Sequence, residues 1–241
     1  MDRIFGYAPP DEFLSEMQRI AAGDSTFESW RQQVAEDPED LKAQLALAAA
    51  YESRNMFPEI VAAGRKIAGL ADPDSPEAAR GRFVIAWGQA YLDTLPEPLL
   101  ELARQDPDSP FAHDIFEDLV MIYRARKDTL NEVRAFEERI RRAIEADIIT
   151  YSMLNGYAWR MTRFDMNLED ALEKVILAVD MAKTADADVR ANIMDTHAEV
   201  LWKLGRVAEA SQVIDRCIEL DPEREYFKEQ KAKFEEALAT G

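Results

Sequence analysis

The sequence predicts an all-α solenoid of stacked antiparallel helix pairs, about six pairs followed by a C-terminal capping helix. Three observations lead there. Asp-Pro recurs at Asp37-Pro38, Asp72-Pro73, Asp106-Pro107 and Asp221-Pro222, the first three spaced 35 and 34 residues apart. The pentapeptide DPDSP occurs twice in the same register, at 72–76 and 106–110. Between these marks the apolar residues fall at helical spacing, as in Val207, Ala210, Val213, Ile214, Cys217 and Ile218, and strand-type alternation is absent. A period near 34 residues marks arrays of helix–turn–helix units.

Each element has a local reason. Proline fixes φ and lacks an N–H, so it ends one helix and is tolerated in the first turn of the next. Asp37, Ser75, Ser109 and Asp221 stand directly before Pro38, Pro76, Pro110 and Pro222 and are read as N-caps. Ser25 with Glu28 is read as a capping box. The helices expected are 11–22, 26–36, 39–54, 57–70, 76–93, 97–105, 110–126, 129–146, 151–164, 168–183, 189–204, 207–220 and 223–238. In the last of these, Phe227, Phe234 and Leu238 share one face, and Glu229, Lys233, Glu235 and Glu236 are expected to solvate the rest. The interval from Pro107 to Pro222 holds three lengthened units.

Residues 194–222, MDTHAEVLWKLGRVAEASQVIDRCIELDP, resemble a tetratricopeptide repeat. Ala198 is small where two helices approach, Gly205 makes the turn, Glu209-Ala210 opens the second helix, Cys217 takes a small-residue position and Pro222 closes the unit. Residues 41–73 fit through Leu47-Ala48, Tyr51 and Asp72-Pro73. The stretch IAWGQAY at 85–91 fits through Trp87, Gly88 and Tyr91, and residues 155–178 fit through Ala158, Ala171 and Ala178. His197, Ile60 and Leu100 depart from the pattern, and 97–150 follows it least. The resemblance implies a right-handed superhelical solenoid over 25–241 that receives a peptide or helix in a concave groove lined by the first helix of each pair. The lining it implies includes Lys42, Leu45, Arg82, Gln89, Tyr157, Arg160, Asn192, Asp195, Glu199 and Lys203. Asp195 and Glu199, one turn apart, are expected to take part in capturing a partner; the alternative is that Arg160 of the preceding unit neutralises them.

Residues 1–24 stand apart from the repeats. They are either a leader with a capping helix or, through Arg3, Ile4, Gly6, Pro9, Pro10, Phe13, Leu14, Met17 and Ile20, similar to the last strand and helix of a thioredoxin-like domain. The second reading implies a bacterial thioredoxin-like/tetratricopeptide fusion, with a CxxC upstream of this chain. Residues 1–8 are then expected to lack a partner strand, while Phe13, Leu14, Met17 and Ile20 pack on helix 26–36.

Composition narrows the functions. The net charge of −18 opposes nucleic-acid backbones and anionic membrane surfaces as partners, since both need a basic footprint. Residues 1–120 carry 10 basic and 23 acidic side chains, and the remainder 19 and 24. The basic stretch 124–142 is read as a solvated helix with internal pairs such as Glu138–Arg142. No apolar run reaches the length of a membrane span, and a cytoplasmic location is expected. The single cysteine, Cys217, lies on an apolar helix face and is read as an inert buried thiol. His197-Ala198-Glu199 lacks the PCxxC that a zinc deaminase needs, and the paired aspartates at 72/74, 106/108 and 186/188 lack the rest of a calcium loop, so they are read as turns and caps. Met121, Met153, Met161, Met166, Met194, Trp87, Trp159 and Trp202 are read as core. No catalytic residue, cofactor or metal site is expected. Three functions remain: a protein–protein interaction scaffold, an accessory region of a thioredoxin-like disulfide oxidoreductase, and a structural assembly subunit.

Overall fold

The structure, a computed structural model, describes residues 9–240. The expectation for residues 1–8 lies outside them. The helices are α1 (Pro10–Ala22), α2 (Phe27–Glu36), α3 (Leu41–Glu52), α4 (Phe57–Leu70), α5 (Pro76–Asp93), α6 (Glu97–Gln105), α7 (Ala112–Ala125), α8 (Thr129–Glu145), α9 (Tyr151–Phe164), α10 (Leu168–Met181), α11 (Ala187–Lys203), α12 (Val207–Leu220) and α13 (Glu225–Thr240). Each expected helix is present, its ends within about two residues of the sequence reading. No strand occurs among the described residues. The chain forms two units, 1–128 and 129–241.

The Asp-Pro marks act one turn earlier than the sequence reading supposed. A residue before proline is pushed out of the helical region. Accordingly Asp37, Asp106 and Asp221 are C-caps with nearly the same extended backbone, φ between −142° and −133°. Each Asp carbonyl then accepts from the N–H three residues on: Asp40 at 3.3 Å, Ser75 at 2.9 Å, Ser109 at 3.2 Å and Arg224 at 3.3 Å. These are tight turns with proline at their second position, where its fixed φ fits. Asp40, not Asp37, caps α3 through Ala43 N, and Ser75 caps α5 through Ala78 N as expected. Ser109 accepts from Phe111 N inside its turn, and α7 begins only at Ala112. At α2 the capping box is Thr26 with Ser29, because Ser25 sits at φ 49° and cannot cap.

In unit 1 the closest helix contact is between α4 and α5, and it depends on missing side chains. A Cβ on Gly81 would stand 2.7 Å from Ala68 N, one on Gly64 2.7 Å from Val84 Cγ2, and one on Gly88 2.8 Å from Val61 Cγ2. The backbones thus approach to a distance that only glycine permits. Ala48, Ala63 and Ile67 form a core under Leu41, Leu45 and Tyr51. Leu99 and Leu102 of α6 and Ile115, Leu119 and Ile122 of α7 are also buried in this unit.

In unit 2 the core runs from Phe136 and Ile140 through Leu154, Tyr157 and Met161 to Val175, Ala198, Ile214 and Cys217. Gly205 adopts φ 75° between α11 and α12, the turn read from sequence. Phe227 and Phe234 are fully buried on α13, but Leu238 is 49% exposed and does not extend that face.

Three other expectations fail. Phe13, Leu14 and Met17 are exposed rather than packed on α2. Met121 and Trp159 are also exposed, although Met161 is core. Tyr157, assigned to a groove, is completely buried, its ring edge-on to Phe136 with centroids 5.5 Å apart.

Gly81→Val should destabilise unit 1 by roughly 1–3 kcal/mol, because a branched side chain must force α4 and α5 apart. Urea denaturation followed at the tryptophans measures it, and an unchanged midpoint would refute the close glycine contact.

Candidate functional site

The sequence points to the faces of the first helices as the site, and the structure shows what those faces hold. Within unit 2, Asn192, Asp195 and Glu199 do lie along one face of α11. They are not open. Arg224 Nη1 donates to Asn192 Oδ1 at 2.8 Å, Tyr226 hydroxyl to Asp195 Oδ2 at 3.2 Å, and Lys233 Nζ to Glu199 Oε2 at 2.7 Å. All three donors belong to α13 or the turn before it. Lys233 also places its ammonium 3.9 Å from the centre of the Trp202 ring, so both its stem and its charge are used. Burial raises the Asp195 carboxyl to about 6, against the opposing hydrogen bond from Tyr226.

Arg160 does not neutralise that pair, which removes the alternative the sequence offered. It forms a two-pronged bridge to Glu132 of α8, at 2.7 and 3.0 Å. Glu132 is only 2% exposed, so this bridge satisfies a buried carboxylate. Its guanidinium also lies 4.3 Å from the Phe164 ring centre. Lys203 sits 3.2 Å from Asp165, the residue that ends α9.

Unit 1 holds the same kind of seam. Arg80 of α5 reaches both carboxylate oxygens of Glu52 on α3, at 2.7 and 2.6 Å. Arg82 donates to Pro73 O at 3.0 Å and to Asp106 at 3.3 Å, tying the two DPDSP turns together. Lys42 remains exposed, Gln89 is half-buried, and Leu45 belongs in part to the core.

One node escaped the sequence reading. Asp118 on α7 accepts from Trp87 Nε1 at 3.1 Å and from the Tyr91 hydroxyl at 2.8 Å. Phe57 packs beside both rings, with centroids 5.7 and 5.9 Å away. Burial raises the Asp118 carboxyl to about 6; the two hydrogen bonds oppose the shift, and Glu117 and Asp114 add to it. The signal was present in sequence, since Asp118 sits in the apolar row Ile115, Leu119 and Ile122, where a carboxylate needs a partner. Glu132 carried the same signal beside Val133 and Phe136.

The remaining chemical candidates take structural places. Cys217 is fully buried and its thiol is raised to about 12, chiefly by burial. Burial and then Arg206 lower His197 below the usual imidazole range. Asp72 Oδ1 accepts from Asp74 N at 3.1 Å, closing its own turn. In the basic stretch, Arg142 meets Glu138 at 2.9 Å, and Arg141 is bonded to Glu138 and Glu145. No helix among the described residues is long and apolar enough to cross a membrane.

Two measurements follow. Asp118→Asn keeps the acceptor and removes the buried charge, so at pH 7 its stability should equal or exceed that of the parent. In the parent the folded Asp118 holds its proton more tightly than the unfolded one, so this group adds stability as pH falls from about 6 towards 4. Denaturation curves at pH 7 and pH 5 should show that gain in the parent and its loss in Asp118→Asn. Cys217 should stay unmodified by an aromatic disulfide reagent at pH 8 and react fully once urea unfolds the chain. Rapid labelling of the native chain would contradict its placement.

No protein-family profile and no curated protein matches this chain. Solved structures do. YrrB, described as a TPR protein with an unusual peptide-binding site, superposes with a TM-score of 0.56 at 14% identity, over 86% of this chain and all of its own. BtubC (BKLC) from P. vanneervenii gives 0.58 at 15%, over 85% and 90%. The TPR-like repeats of a kinesin light chain from Podosopora anserina give 0.52 at 16%, over 77% and 96%. At these identities the likeness is one of architecture, and the chain has the all-α, tetratricopeptide-like solenoid fold.

Proposed function

We propose that this chain is a non-catalytic scaffold that binds a peptide or helix of another protein along the first helices of its pairs. The observation that carries this reading is a partly exposed strip of α5 beside its contact with α4. Ile85, Gln89 and Leu92 recur there at helical spacing; Ile85 and Gln89 are half-buried, Ile85 standing at the contact with Gly64 of α4, and Leu92 is 53% exposed. Two apolar side chains beside a glutamine suit an extended or helical peptide, which brings both apolar side chains and backbone acceptors. The likeness to YrrB supports the class of partner. The seam on α11 moves the reading away from Asn192, Asp195 and Glu199, whose partners are internal.

A second reading rests on α1 alone. The exposed Phe13, Leu14 and Met17 suit a helix that closes a thioredoxin-like domain, with the repeats as that domain's accessory region. A CxxC-bearing domain encoded directly before this chain would support it, and its absence would remove it.

The scaffold reading is tested by photo-crosslinking in cells. Benzoylphenylalanine at Gln89 or Leu92 should trap a small, reproducible set of polypeptides that the same group at Glu101, exposed on α6, does not trap. Equal trapping at all three positions, or none at Gln89 and Leu92, would contradict it.

A further inference from the structure

A cleft of about 320 Å³ lies within unit 2 between α8 and α10, over α9. Its apolar wall is Ile140 and Ile144, and Ile144 is 47% exposed. Two carboxylates, Glu137 and Asp170, face it from opposite helices. They share little positive charge. Lys174 holds Asp170 at 2.8 Å, Glu137 takes a hydrogen bond from the neutral Asn167 amide, and Arg141 is committed to Glu138 and Glu145. Burial first, then the neighbouring Asp170, raises the Glu137 carboxyl above its ordinary range, while Arg134 pulls it back.

The second observation is a buried hydroxyl beside Asp170. Tyr157 lines the same cleft, is completely buried, and its hydroxyl has no hydrogen-bond partner. Burial and the nearby Asp170 hold its ionisation far above the phenol range, with Asn167 opposing. That proximity does not amount to a hydrogen bond. A buried hydroxyl without a partner is costly, and a donor arriving in the cleft would relieve that cost.

We propose that this cleft receives a lysine or arginine side chain from a bound polypeptide, its alkyl stem against Ile140 and Ile144 and its charged head between Glu137 and Asp170. The Tyr157 oxygen accepts a further hydrogen bond from that head. Long basic side chains combine an apolar stem with a charged tip, which is the pattern of this wall and rim. Lys174, 22% exposed on a flexible stem, is the resident stand-in that the incoming head displaces from Asp170. A polypeptide rather than a free amine is favoured because the apolar surface continues. Leu177 and Met181 follow Lys174 at three and seven residues on the same face of α10 and are 42% and 38% exposed. This site is distinct from the first-helix face of the scaffold reading and stands or falls separately.

The test is a titration of the full chain, with labelled isoleucine methyls, using a blocked peptide of leucine, lysine, alanine and leucine. Saturable shifts at Ile140 and Ile144 are expected, and replacing the lysine with norleucine should weaken binding about ten-fold or more, as should Glu137→Gln. Tyr157→Phe should weaken binding a few-fold and leave the melting temperature unchanged or higher, since no existing hydrogen bond is lost. Equal binding of the norleucine peptide would show a merely apolar surface. Cadaverine binding as tightly as the peptide would assign the cleft to free amines. A lowered melting temperature in Tyr157→Phe, or no shifts at millimolar peptide, would overturn the proposal.

Discussion

A helix pair of this kind carries more apolar surface than its two helices can hide from each other, and the rest of the structure follows from that shortage. Each pair must find a neighbour. In unit 1 the need is met by driving α4 against α5 until only Gly64, Gly81 and Gly88 fit at the crossing. In unit 2 it is met at the end of the chain by α13, which buries Phe227 and Phe234 against the preceding pair. Apolar contact of this sort has little directional preference. The register is set by polar groups beside it: Arg80 on Glu52, Trp87 and Tyr91 on Asp118, Arg160 on Glu132, and Lys233 on Glu199.

The seam reassigns residues that looked functional. Polar side chains on the first helices read from sequence as groove lining, since nothing local says that a neighbour arrives to use them. Asn192, Asp195 and Glu199 are spaced as a binding row would be, and the row is filled by the chain's own Arg224, Tyr226 and Lys233. The two proposed contacts use other positions: the apolar and amide positions on α5, and the slot between α8 and α10 with its unsatisfied Tyr157 hydroxyl.

The fold was legible because its signals are local and repeated. Helical spacing, the Asp-Pro period and the positive φ at Gly205 each act within a few residues, and all thirteen expected helices are present. The N-caps were misplaced by one turn at Asp37, Ser109 and Asp221 because proline acts on the residue before it as well as on its own φ. The site was less legible for a different reason. Whether Tyr157 or Arg160 faces solvent depends on the helix that packs next, about 30 residues away, and a single pair's sequence does not contain that helix. The readable exceptions were carboxylates inside apolar rows. Asp118 and Glu132 announce by position that a donor must come to them.

The central claim is that the polar row of α11 is held by α13 and is part of the fold. A double-mutant cycle on Glu199 and Lys233 tests it most directly, with Glu199→Gln, Lys233→Met and the double variant compared by chemical denaturation. Because the pair is partly buried, with side chains 15% and 34% exposed, a favourable coupling is expected. Its size should be about 0.5–1 kcal/mol and should shrink in high salt. Strictly additive losses, with no coupling at low salt, would mean that the row is open and the seam does not set the register.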